Sequence, residues 1–144
     1  MNLIITEIQQ YTPAILKAIN QLLPQLSSSA LPLKKEQLKK IIQSNSAHLI
    51  MAREGEIYLG CLTLIIFDIP TGHRALIEDV VVDKKARGKG LGKALTQRAI
   101  QLASEMNINT IDLTSRPSRK AANQLYKKIG FVQRETNVYR YHLK

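Results

Sequence analysis

Residues 80–95 read VVVDKKARGKGLGKAL, an apolar run that enters a basic loop and leaves it as an apolar-periodic segment. Gly88, Gly90 and Gly92 stand at alternate positions among Lys85, Arg87, Lys89 and Lys93. That order spells strand, loop and helix start. The first N–H groups of a helix have no intrahelical acceptor, the helix dipole favours negative charge, and glycine lets an oxyanion approach the backbone, so the loop is suited to a phosphate. A nucleoside-triphosphate loop needs glycine five residues before its Gly-Lys pair and Ser or Thr after it; here Arg87 and Ala94 occupy those positions. A dinucleotide fingerprint counted from Gly88 accepts Gly90 but meets Lys93 where its third glycine belongs.

Working outward, NLIITEI reads as a first strand, and Thr12-Pro13 caps a helix that carries Ile15, Leu16, Ile19, Leu22 and Leu23 on one face and is expected to end at Pro24. LKKEQLKKIIQ is a second amphipathic helix with Leu38, Ile41 and Ile42 inward. HLIMARE and IYLGCLTLIIF form a hairpin around Glu54-Gly55-Glu56, DIPTGHR connects to the strand ALIEDVVV, and Leu91, Leu95, Ala99, Leu102 and Met106 line one face of a long helix. TIDLTS is a short strand, the last helix begins near Ser118 and closes at Gly130, and FVQRETNVYRYHL reads as a closing strand or hairpin. The order βααββββαβαβ(β) is an α/β (α+β) layer structure without repeat or linker, a single domain over residues 1–144.

Composition narrows the function. At 144 residues and 44% apolar content the chain can bury a core without metal or disulfide. Its one cysteine, Cys61, lies in an apolar strand and reads as buried filler. No stretch approaches the ~18 apolar residues of a membrane span, and MNLIITEIQQ is no secretory leader, so a cytoplasmic protein is expected. The formal charge of +10 favours anionic partners. His48, His73 and His142 are too scattered for a metal site, and no metal is expected.

The glycine loop, read as R-x-x-G-x-G over Arg87, Gly90 and Gly92, resembles the acetyl-CoA motif of the GCN5-related N-acetyltransferase (GNAT) superfamily. A second match lies downstream in SRKAANQLYKKIGFV, where Asn123, Tyr126, Gly130 and Phe131 occupy the positions of the family's other motif. The resemblance implies a GNAT fold, with a mixed central sheet of about six or seven strands flanked by four helices. It implies an N-acetyltransferase that uses acetyl-CoA as co-substrate and passes the acetyl group to an amine on a small molecule or peptide. Arg87, Gly88, Lys89, Gly90, Leu91, Gly92 and Lys93 would wrap the pyrophosphate, and the backbone of Val80, Val81 and Val82 would hydrogen-bond the pantetheine arm. Asn123 and Tyr126 would serve the cofactor side, with Tyr126 also protonating the departing thiolate.

The amine must lose a proton, and Glu78 and Asp79 are the carboxylates at hand. Strict alternation would group Glu78 with Val80 and Val82, and Asp79 with Val81; Glu78 is favoured as base or ammonium anchor, with Asp79 or a water relay left open. The acceptor is not legible; the wording IEDVVVD resembles that of glucosamine-phosphate acetyltransferases, which makes an amino-sugar phosphate one candidate. The rival readings are a basic nucleic-acid-binding module, which lacks stacking aromatics and zinc spacing, and a CoA-binding sensor without catalysis. The alternating NVYRYHL would leave an apolar sheet edge, from which a homodimer is expected.

Overall fold

The computed structural model of the chain describes residues 2–144, which fall into two units, divided between Thr114 and Ser115. In the first unit β1 (Leu3–Glu7) is followed by α1 (Pro13–Leu26) and α2 (Lys35–Gln43). Then come β2 (Ala47–Glu54), β3 (Ile57–Ile69), β4 (Gly72–Val82), a 3₁₀ turn (Lys84–Ala86), α3 (Leu91–Glu105) and β5 (Thr110–Leu113). The five strands form one sheet in chain order, antiparallel except for the parallel β4–β5 pair.

Local signals account for most of these boundaries. Thr12 accepts a hydrogen bond from the Ile15 amide through Oγ1 at 3.2 Å, and Pro13 fills the first helical position, where no N–H is needed. Pro24 does not end α1 as expected. It sits in the last turn, where it forfeits one N–H, and the helix runs on to Leu26. Gly55 at φ +59° makes the β2–β3 turn, and β3 and β4 extend to a tight turn at Pro70-Thr71, absorbing most of DIPTGHR. Three strands therefore lie between α2 and α3, where the expected order had four.

The sheet is covered on both faces. Met51, Cys61 and Val81 align across β2, β3 and β4 and pack in one cluster with Ile15, Ile19 and Leu22 of α1 and Leu38 of α2. On the opposite parity Ile50, Leu62, Leu64, Ala75 and Ile77 are buried, and α3 crosses β2, β3 and β4 with Leu91, Leu95, Ala99 and Leu102 inward. Each such side chain larger than alanine, fully removed from water, contributes ~1.5–3 kcal/mol. Gly60 lies beneath α3: a Cβ there would stand 3.0 Å from the Val81 carbonyl and 3.2 Å from Leu95 Cδ1.

In the second unit α4 (Lys120–Ile129) ends at Gly130, whose φ of +125° lets its N–H turn back to the Tyr126 and Lys127 carbonyls. Residues 131–144 contain no strand, so the sheet has five strands among the described residues, below the expected six or seven. Apolar alternation shows which residues could pair; a strand exists only where a neighbour supplies the ladder.

Gly60→Val should therefore lower the unfolding free energy by ~1–3 kcal/mol through overpacking against a backbone oxygen that cannot swing away, as read by urea titration. Burial, helped by the Asp79 charge, pushes the Cys61 thiol from 9.0 up to about 12. At neutral pH it should react with an aromatic disulfide reagent ~10²-fold or more slowly than a model thiol, and unfolding in urea should abolish the difference.

Candidate active site

β4 breaks its own alternation. Thr63 stands opposite Glu78 and Cys61 opposite Val81, so β3 spends two residues where β4 spends three. Asp79 takes up the surplus at φ +53°, a conformation that Asp tolerates better than a branched residue. The bulge corrects the grouping that strict alternation predicts: Glu78 shares its face with Val81 and Thr63, while Val80 and Val82 belong to the other face. Glu78 and Asp79 are both exposed.

β4 also parts from β5. Their last paired residues are Ile77 and Leu113, so from Glu78 to Val82 the strand is laddered to β3 alone among the described residues. The open side of Val80, Val81 and Val82 is a run of backbone donors and acceptors, the kind of edge onto which an extended amide-bearing chain can add.

The glycine loop begins where that edge stops. Asp83 caps the 3₁₀ turn by accepting from the Lys85 amide at 3.0 Å, buried Ala86 anchors the turn, and the Lys84 amide donates to Gln25 Oε1 at 2.9 Å. Gly88 at φ +79° and Gly90 at φ +85° carry the chain into α3. A Cβ at either would meet no atom within 4 Å, so the protein's own packing does not exclude a side chain there. Gly90 is the cap residue and has no side chain to occupy the helix start, which leaves the amides of Leu91, Gly92 and Lys93 without intrahelical acceptors. Leu91 is buried and Thr96 Oγ1 donates to the Gly92 carbonyl at 2.7 Å, which holds the first turn in place. Lys89 and Lys93 are exposed, as is Arg87, whose Nε donates to the Val82 carbonyl at 3.2 Å. The first unit thus brings together Glu78, the three valines and Arg87 through Lys93 in one continuous strand, loop and helix start.

The second unit holds the remaining predicted residues on α4. Asn123 donates through Nδ2 to the Arg116 carbonyl at 2.9 Å and so ties down the approach to the helix. Three residues on, Tyr126 is buried and meets Phe131 edge-on, with ring centroids 5.8 Å apart. Burial pushes its phenol above the usual tyrosine value, and Arg119 pulls it part of the way back. The hydroxyl therefore keeps its proton throughout the neutral range, as a proton donor must.

The histidines stand apart from the loop. His48 Nδ1 hydrogen-bonds Glu7 Oε2 at 2.7 Å, and His73, on β4 and not in a loop as its surroundings predict, hydrogen-bonds Asp68 across the hairpin at 2.5 Å. Sequence reading missed the bulge at Asp79, the Asp83 cap and the Gln25 tether. The first had a signal: two carboxylates in the middle of the apolar strand ALIEDVVV.

Residues 15–131 match the Acetyltransferase (GNAT) family, and the chain belongs to that family. A probable glucosamine 6-phosphate N-acetyltransferase of Oryza sativa is 40% identical over 63 residues, 44% of this chain and 34% of that protein. An L-2,4-diaminobutyric acid acetyltransferase of Halalkalibacterium halodurans is 34% identical over 83 residues, 56% of this chain and 42% of that protein. The matched stretch spans well under half the length of these curated relatives. A crystal structure from Bacillus halodurans C-125, described as a transcriptional regulator, superposes with a TM-score of 0.86 at 26% identity over 99% of this chain and 100% of its own.

Gly90→Ala is expected to cost ~1–2 kcal/mol in chemical denaturation, because the methyl group finds space and only the left-handed backbone resists it.

Proposed function

We propose that this chain is an acetyl-CoA-dependent N-acetyltransferase that acts as one domain over residues 1–144 and transfers an acetyl group to a primary amine by direct attack. The observation that carries the proposal is the continuity of the β4 edge with the glycine loop: backbone groups for an extended amide chain lead without interruption to helix-start amides ringed by Arg87, Lys89 and Lys93. Pantetheine followed by pyrophosphate has that order of chemistry. In this reading Val80, Val81 and Val82 bind the arm through their backbone, and Arg87, Gly88, Lys89, Gly90, Leu91, Gly92 and Lys93 receive the phosphates, with Asn123 and Tyr126 on the cofactor side.

The amine, neutral after losing a proton to Glu78 directly or to Asp79 or water, attacks the thioester carbonyl. The tetrahedral intermediate draws on backbone N–H donors, the carbon–sulfur bond breaks as Tyr126 gives its proton to the thiolate, and the proton shed by the acetylated nitrogen passes through water to restore Tyr126. The match of Tyr126 to the family motif supports that role. The proposal includes a cytoplasmic site of action and a paired state of the chain. The relatives direct the search for an acceptor to amino-sugar phosphates and to diamino acids, the first of which also suits a chain of net charge +10. The same charge and the regulator-like neighbour favour DNA binding as a second reading, which salt-dependent retention on DNA at physiological ionic strength tests.

Acetyl-CoA should raise the thermal midpoint, since a ligand held only by the folded state stabilises by ~2.7 kcal/mol at a hundredfold excess over Kd, and an amine panel read by thiol release should identify a competent acceptor. With that amine, Tyr126→Phe should slow single-turnover acetyl transfer ~10²–10⁴-fold and leave acetyl-CoA affinity nearly unchanged. A Phe variant as fast as wild type would remove Tyr126 from the chemistry, and the absence of any thermal shift would remove the acetyltransferase reading itself.

A further inference from the structure

Four amides lead the chain from the end of β4 into the glycine loop, and each has a partner. Asp83 N–H donates to the Leu59 carbonyl at 2.7 Å, Lys85 N–H to Asp83 Oδ1 at 3.0 Å, and Ala86 N–H to the Asp83 carbonyl at 2.8 Å. The neighbouring strand and the turn itself thus hold three of the four. The fourth, Lys84 N–H, donates at 2.9 Å to Gln25 Oε1, which lies 59 residues away in the chain on α1. That bond joins the turn to the helical layer of the first unit.

Its far end is a fixed point. Gln25 lies beyond Pro24, where the sequence predicts the helix to have stopped, and α1 runs on to Leu26. Leu26 packs against the core cluster, and the Ser27 N–H donates to the Leu23 carbonyl at 3.0 Å, which closes the added turn. The Gln25 side chain also donates through Nε2 to the Gln21 carbonyl at 3.3 Å. Turned over, the side-chain amide would set oxygen against that carbonyl and N–H against the Lys84 N–H, so a single orientation satisfies both bonds. The loop side has fewer constraints: residues 87–90 are exposed, and no atom of the protein would touch a Cβ at Gly88 or Gly90.

We propose that Gln25 is a positioning residue for the cofactor: its bond to the Lys84 amide sets the entry of the glycine loop, and with it the backbone of residues 87–93, in the arrangement that receives a pyrophosphate. It rests on the acetyl-CoA reading of that loop. The exposure of Lys84 separates this role from a structural one. An exposed N–H that loses its protein acceptor turns to water, so the folded state loses little. A loop released at its entry must be ordered again when the ligand binds, and that cost falls on affinity.

Gln25→Met keeps the length of the side chain and removes the acceptor, whereas Gln25→Glu keeps an acceptor for the Lys84 amide, its added charge screened beyond ~8 Å at ~0.15 M salt. Calorimetric titration with acetyl-CoA should give Gln25→Met a Kd ~3–10-fold above wild type, the factor that one hydrogen bond carries, and Gln25→Glu a Kd within ~2-fold. In the ligand-free chains, hydrogen exchange at the Lys84 amide should rise at least ~5-fold in Gln25→Met and not in Gln25→Glu, while the thermal midpoint moves by a few degrees at most. If Gln25→Met does not fold, Gln25→Asn, one methylene too short to reach the turn, takes its place with the same expectations. Acetyl-CoA affinity unchanged in Gln25→Met overturns the inference. So does a loss of affinity that Gln25→Glu shares in full, or a Lys84 amide that exchanges alike in all three chains. Wild type that binds no acetyl-CoA overturns the acetyltransferase reading and this inference with it, so titration of the wild type tells the two failures apart.

Discussion

One surplus residue in β4 governs the geometry around it. With Asp79 at φ +53°, three residues of β4 span two of β3, and the pleat is out of phase on the two sides of the bulge. Below it, Ala75 and Ile77 lie under α3 and pair in parallel with β5; above it, Val81 joins the cluster of α1 and α2, and β5 is no longer alongside. The switch of burial from one helical layer to the other within four residues moves Glu78 to the Val81 face and leaves the upper strand with one open side.

The loop beyond the bulge is anchored at both ends. Ala86 and Leu91 are buried on either side of the glycines, the Gln25 side chain reaches the Lys84 amide, and the loop's two positive φ angles are met by Gly88 and Gly90. The charged side chains around these fixed points are in water, where each adds little to stability and all add to the local positive potential. Backbone and charge divide the work: the amides set where an anion would sit, and the exposed cations raise the chance that it arrives.

Tyr126 illustrates how packing tunes chemistry. Burial beside Phe131 raises its phenol pKa and makes the anion harder to form, which Arg119 offsets only in part. The closure of α4 at Gly130 makes this contact possible, since the turn back of its N–H places Phe131, whose own N–H also bonds the Tyr126 carbonyl at 2.9 Å, against the preceding turn of helix.

Much of this was legible in the chain. The Thr12-Pro13 cap, the α3 stripe from Leu91 to Leu102 and the Gly130 stop are decided by local chemistry within a few residues, and the structure places them where the sequence puts them, with Met106, expected on the same stripe, capping the helix instead. The two motifs at Arg87–Lys93 and Asn123–Phe131 were enough to place the chain in its family. The face of Glu78, the length of β3 and the absence of a strand after α4 were not legible, because each depends on a partner distant in sequence. A bulge is a relation between two strands, as the offset of Cys61 and Thr63 against Val81 and Glu78 shows, and neither strand contains it alone. The alternation of Tyr139, Tyr141 and Leu143 likewise determined that this segment could be a strand; only the tertiary structure decided that residues 131–144 contain none, since a β-ladder exists only when two backbones meet.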